Sequence, residues 1–249
     1  MLSEPMRLRA YPLVLAGVFL TTAAPAYAGP PFLSDDPDPT PNGQYEIYLF
    51  ANGATSDHDL EGDAGIDFNY GATPDLQLTA TVPISYARPD GDDLHSGLGN
   101  IELAAKFRVL HQETSGWDVA VFPRVFLPAG SHLGDDHASL LLPVWVGRSW
   151  DDWSTFGGGG CAINRGGDSQ DYCLVGWALT RKVSERLRLG GEVFHQSADT
   201  KGGDATTILG AGGVFDVNEN LHWLGYVGAG VGHNDATDVT AYTSILFTF

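Results

Sequence analysis

Long apolar runs are largely missing from this 249-residue chain. Beyond the first 28 residues no stretch of 18 apolar residues occurs, which excludes a membrane-spanning helix. Basic residues are scarce, with 13 Lys and Arg against 31 Asp and Glu. That balance excludes nucleic acid as a partner, because affinity for a phosphate backbone comes from Lys and Arg. No G-x-S-x-G motif is present, and no G-K-[ST] follows "GGGG" (157–160), so that stretch is not a phosphate loop. A lipid-hydrolysing barrel would need a Ser or His base held by an acid or amide partner. No such pair falls together on a wall-facing stretch. The sequence therefore points away from catalysis and asks for no cofactor.

What is present begins with an export signal. Arg7 and Arg9 precede the apolar core "PLVLAGVFL" (12–20), and "AYA" (26–28) reads as a cleavage site. Residues 1–28 are expected to be a secretory signal peptide cleaved after Ala28, too short to span a bilayer as a helix. Removing Arg7, Arg9 and Glu4 leaves 11 basic and 30 acidic residues, net −19. No lipidation cysteine follows the cut. Export without a membrane helix leaves the periplasm, the exterior or a bacterial outer membrane. The Pro-rich segment 29–42, within "GPPFLSDDPDPTPNG" (29–43), suits neither helix nor strand. It could plug the periplasmic mouth of a barrel or hang free.

From residue 43 to 249 the pattern is alternation with period 2, the mark of strands with two unlike faces. Strand-like runs recur at 43–52, 63–72, 75–87, 98–110, 117–128, 139–149, 153–162, 172–182, 186–196, 205–216, 220–232 and 238–249. In "LQLTATVPISY", Leu76, Leu78, Ala80, Val82, Ile84 and Tyr86 oppose Gln77, Thr79, Thr81, Pro83 and Ser85. The connections alternate too. Short ones ("TP", "HQETSG", "WDD", "VSE", "VNE") follow the even runs, and longer ones such as "GATSDHDLEG" and "RPDGDDLHSG" follow the odd runs. An even number of strands near ten residues long, with tight turns at one end and long loops at the other, predicts an outer-membrane barrel. A secreted β-sandwich also has short alternating strands, but it has no reason to sort its loops by length. The expected fold is all-β: a transmembrane, antiparallel up-and-down barrel of about twelve strands. Trp117, Trp150 and Trp153 lie beside short turns, where an aromatic belt would meet the membrane interface.

If the apolar faces meet lipid, the opposite faces line a lumen. They carry Glu46, Asp67, Glu102, Lys106, Arg108, Arg124, Arg186, Arg188 and Glu192, with the bases 106, 108, 186 and 188 towards the periplasmic end. Paired charges could tie a narrow lumen shut. Alternatively, a basic collar below an acidic mouth could pass a small solute, an anionic or aromatic one included. Cys161 and Cys173 flank "AINRGGDSQDY" at the outer ends of adjacent strands, and in an oxidising compartment are expected to form a disulfide. "DHD" (Asp57, His58, Asp59) and "DDH" (Asp135, Asp136, His137) are the best candidates for metal ligands, though without any fixed spacing. The favoured reading is a solvated anionic rim bridged to lipopolysaccharide by loosely held divalent ions. The chain ends in a strand, with Ile245, Phe247 and Phe249 on one face. This resembles the C-terminal signal by which the assembly machinery recognises outer-membrane barrels.

"GPPFLSDDPDP" (29–39), "GQYEIYLF" (43–50) and "FNYGATPDLQLTATVPISY" (68–86) together resemble the putative MetA-pathway of phenol degradation family. These are outer-membrane β-barrels of Gram-negative bacteria, described as transporters. The resemblance implies uptake or export of hydrophobic aromatic compounds and brings no catalytic residues with it. The expected function is a porin-like transporter for small solutes. The alternative is a closed structural or surface-interaction barrel that works through its acidic outer loops. Either would have membrane lipid, lipopolysaccharide and the assembly machinery as partners.

Overall fold

The computed structural model describes residues 31–131, 133, 136–232 and 237–249. The expected signal peptide lies outside the described residues. The strands are β1 (Tyr45–Ser56), β2 (Asp59–Thr73), β3 (Leu76–Arg88), β4 in two pieces (His95–Leu98 and Ile101–Leu110) and β5 in two pieces (Asp118–Val121 and Arg124–Leu127). They continue as β6 (Ser139–Trp150), β7 (Trp153–Ile163), β8 (Tyr172–Ser184), β9 (Leu187–Gln196), β10 (Thr206–Asn218), β11 (Leu221–Gly230) and β12 (Val239–Thr248). Each pairs antiparallel with its sequence neighbours, and β12 returns to β1 from Glu46↔Thr248 to Thr55↔Val239. Tyr45 and Phe249 exchange two backbone hydrogen bonds of 3.0 Å, which finishes the seam. The result is a closed barrel of 12 strands.

The alternation becomes the two faces of the wall. On β3, Leu78, Val82 and Ile84 are exposed while Gln77, Thr79 and Pro83 are buried. On β4, Leu103 and Phe107 face out, whereas Glu102 and Lys106 face in. Exposed apolar residues surround the barrel, and polar and aromatic residues fill it. This arrangement is stable with lipid outside and is that of an outer-membrane barrel. Trp117 and Trp150 are exposed at the end with the short turns, and Trp153 is half-buried there with the Arg181 guanidinium 5.1 Å from its ring centre.

The breaks have local causes. Pro123 separates the two pieces of β5, because it has no N–H to give to the ladder. Pro83 and Pro143 use their carbonyls to accept from Gly99 and Phe122, next to the breaks in β4 and β5. Register shifts sit at the short-turn ends of four hairpins, including Gly71/Thr73 and Asp216/Asn218. The connection after β4 contains a single helical turn, α1 (Gln112–Ser115).

One expectation about the loops needs correcting. The first long loop, "GATSDHDLEG", is mostly strand: β1 and β2 run on to a two-residue turn at Asp57 and His58. Both have positive φ, 49° and 78°, as a type I′ turn requires. The longer outer connections lean on one another instead, through the Ser169↔Thr200 bridge and the bond from Lys201 Nζ to the Gly167 carbonyl (2.6 Å). Cys161 and Cys173 are direct partners across β7 and β8 and are joined by a disulfide on the exposed outer face of the wall.

Val193 sits on the lipid face between Trp177 and Leu209. Val193→Arg should cost about 3 kcal/mol near mid-bilayer, read as a lower urea midpoint for the barrel folded into lipid vesicles.

Candidate functional site: a lumen closed by the N-terminal segment

Residues 31–42 do not hang free. They run inside the barrel, and the wall meets them with matched groups along the way. Thr40 donates its N–H to Gln77 Oε1 (2.8 Å) and its hydroxyl to Glu46 (3.2 Å). Asp38 pairs with Arg108 (3.1 Å), and Lys106 Nζ lies 2.9 Å from Asp35 and 3.7 Å from Asp36. Further in, Glu192 accepts the backbone N–H of Leu33 (2.9 Å) and of Ser34 (2.6 Å), one on each carboxylate oxygen. Phe32 ends the run in an apolar cluster with Phe156, Phe194, Ile208 and Tyr226.

Glycines in the wall leave room for this segment. A Cβ at Gly71 would come within 2.1 Å of the Pro41 carbonyl oxygen, and one at Gly176 within 2.2 Å of Ser34 Oγ. The fit is therefore steric as well as electrostatic.

The nine residues expected to line the lumen separate into four groups. Lys106 and Arg108 form the basic collar, but it is capped by Asp35, Asp36 and Asp38 of the segment. Arg124 is committed to Glu102 through two bonds of 2.7 Å, and the Phe122 ring lies between Arg124 and Lys106. Glu46, Asp67, Glu192 and Arg188 also face inward, Arg188 donating to Thr180 Oγ1 at 3.3 Å. Arg186 does not line the lumen: it is exposed in the turn between β8 and β9, one residue before the alternation starts.

Above the segment the lumen opens outward. A cavity of 660 Å³ is lined by Phe32, Asn52, Glu61, Asp63, Tyr86 and Tyr242 among others. It shares Asn52, Asp63, Ser85 and Tyr242 with a second space of 460 Å³ that reaches Asp67, Glu102, Arg124 and Phe126. Together they make a vestibule with four carboxylates and one guanidinium that is already paired. Below, a space of 60 Å³ is lined by Phe32, Asp36, Asp118, Arg148 and Arg188 among others. Pro31 and Phe32 border both sides, and the Phe32 ring with Pro31 forms the partition between them.

The metal candidates do not converge. Asp57 and His58 form the β1–β2 turn, with Asp59 opening β2. His137 bonds to Asp136 (2.7 Å) and to Asn164 (3.1 Å), and Asp135 lies outside the described residues. Among the described residues no group of three or more His, Cys, Asp or Glu could hold an ion. The functional residues that sequence reasoning did not single out are Phe32, Asp35, Asp36 and Asp38. The signal was available in the acidic run "SDDPD" facing an expected basic collar.

A family model described as Putative MetA-pathway of phenol degradation matches residues 35–248. No curated protein matches the sequence. Among solved structures, the COG4313 outer membrane channel from Pseudomonas putida F1 is similar, with a TM-score of 0.68 at 12% identity over 86% of this chain and 98% of that one. The NanC porin is similar at TM-score 0.56, 7% identity, 81% of this chain and 98% of that chain. The translocator domain of the autotransporter NalP from Neisseria meningitidis follows at 0.51, 11% identity, 84% and 90%.

Burial pushes the Asp36 carboxyl up to about 8 from 3.8, with Asp35 and Asp38 adding to the rise and Lys106 opposing it. Asp35, nearer to Lys106, carries the ion pair. Because the docked form of Asp36 holds its proton more tightly than the free form, the contribution of Asp36 to docking is full below about pH 4 and is lost as pH rises through 8. Protease protection of residues 31–42 should follow that slope, and Asp36→Asn should flatten it. Lys106→Met leaves the Asp35 carboxylate without its partner and should weaken docking by about 3 kcal/mol, measured by the same protection.

Proposed function

We propose that this chain, which belongs to the Putative MetA-pathway of phenol degradation family, is an outer-membrane channel whose N-terminal segment closes it at rest. Small solutes would enter from outside into the acidic vestibule and pass to the periplasm when residues 31–42 shift. The observation that carries this reading is the partition at Phe32, with open space above it and a smaller space below. The similar protein from Pseudomonas putida is itself described as an outer membrane channel.

Asp63, Asp67 and Glu61 make the vestibule favour cations and neutral solutes over anions, since like charge repels an entering ion where low-dielectric walls focus the field. This departs from the basic collar that the sequence suggested, because its bases are occupied by the segment. Phe50, Phe126, Tyr86 and Tyr242 give the vestibule aromatic walls, which suits solutes with an aromatic part. Ile245, Phe247 and Phe249 serve as the assembly signal in this reading, and cleavage after Ala28 releases the segment to enter the lumen. The acidic outer loops face lipopolysaccharide through divalent ions.

The closed lumen also favours a second reading, a structural barrel acting through those loops. Planar bilayers separate the two. The mature protein (residues 29–249) should conduct in brief openings with a reversal potential that prefers potassium over chloride. Asp63→Asn with Asp67→Asn should reduce that preference. Asp35→Asn with Asp38→Asn, which weakens the collar contacts, should lengthen the openings. No conductance from any of these proteins would leave the structural barrel.

A further inference from the structure

We propose that the seat of Phe32 is a binding site for a small cationic arylalkylamine, and that the N-terminal segment occupies it at rest as an internal stand-in for that solute. The inference rests on the channel reading above and names the class of solute for it.

The seat has two parts. One is aromatic: the Phe32 ring stands edge-on to Phe156 (centroids 5.8 Å apart, planes at 68°) and to Tyr226 (5.8 Å, 75°), and is 8% exposed. Phe194 and Ile208 complete the apolar lining. The other part is the Glu192 carboxylate, which is 5% exposed and accepts from Leu33 and Ser34. Lys106, Arg108 and Arg124 are held by other carboxylates, and among the described residues Glu192 forms no ion pair with Lys or Arg. Its two amide partners belong to the very segment that must move for the lumen to open.

While the segment is docked Glu192 is kept from water, and when the segment leaves, the carboxylate exchanges two fitted N–H donors for water. A solute that brings both a ring for the apolar lining and a donor for Glu192 therefore competes with the segment for this place, where the Tyr226 hydroxyl stays beside the carboxylate. In the resting state these are linked: the donor N–H of Leu33 lies a few bonds along the chain from the Phe32 ring. An aromatic ring with an ammonium on a three-carbon arm reproduces that spacing, since Cβ, Cα and the carbonyl carbon of Phe32 separate its ring from the Leu33 nitrogen, and it adds the positive charge that Glu192 lacks at present. The route selects for the same chemistry, because the vestibule directly above Phe32 carries Glu61 and Asp63. An arylalkyl carboxylate would meet repulsion at both places, and an alkylamine without a ring would leave the aromatic lining unfilled.

The test is calorimetric titration of the mature protein (residues 29–249) in detergent with 3-phenylpropylamine, 3-phenylpropanoate and butylamine. Wild-type protein should bind the first and neither of the others. Phe32→Ala removes the internal competitor and should tighten binding about tenfold, since the competent fraction rises. Glu192→Gln should weaken it about tenfold, because a charge-assisted contact becomes a neutral one. Heat-modifiable gel migration establishes that each variant is a folded barrel. Binding that is unchanged in both variants places the amine in the vestibule and overturns the proposal, as does weaker binding by Phe32→Ala. Equal binding of butylamine overturns the aromatic half. Bilayer recordings on the same proteins separate this from the channel reading. Cation-preferring conductance without amine binding rejects the seat alone. Binding with the two expected shifts but no conductance upholds the seat and rejects the channel.

Discussion

An N–H or C=O facing hydrocarbon without a partner costs roughly several kcal/mol, so a sheet that spans lipid must pair its last strand with its first. Here the return is made by β12, and the bonds between Tyr45 and Phe249 bring the pairing to the last residue of the chain. The lipid face must then be apolar all the way round. Most charged side chains of the strands are turned to the lumen, while polar groups on the outer face, such as Thr155 and Thr243, accept from the Trp177 and Trp223 ring N–H groups. The interior thus collects charge.

The N-terminal segment resolves that difficulty. Lys106, 2% exposed, needs a counter-charge once the segment covers it, and the Asp35 carboxylate 2.9 Å away supplies it. Glu192 has the opposite problem and receives backbone N–H groups instead. The segment is a replaceable core: it contributes one apolar anchor, Phe32, and otherwise polar contacts that a change of charge or a competing ligand can exchange. A continuous apolar plug of the same length would close the barrel permanently. The polar character of residues 33–40 is what makes closing and opening compatible.

The wall was readable because period-2 alternation is a local property. Leu78 and Gln77 differ in polarity for the same reason that they face lipid and lumen, and each strand repeats that choice. The first hairpin was harder, since "SDHDL" looks like a loop by composition, yet Asp57 and His58 take the left-handed conformations that let two strands continue into a tight turn. Arg186 failed for a related reason. Alternation assigns a face only inside a strand, and the strand begins one residue later. The partners of Lys106 and Arg108 lie about 70 residues away in sequence, so only the charge match between "SDDPD" and the basic collar pointed to them.

By itself the sequence determined the barrel, its strand number, the sidedness of its short and long connections and, within the strands, the charges that face inward. Those follow from residue type and spacing, and the requirement that backbone groups in lipid be paired leaves one closed solution. Only the tertiary structure decided whether the lumen is open, because that depends on where a segment with no period of its own comes to rest. Proline and aspartate dictate neither helix nor strand for residues 31–42. Their course is set by Arg108, Lys106 and Glu192, three charges that come to one interior only after the wall has closed.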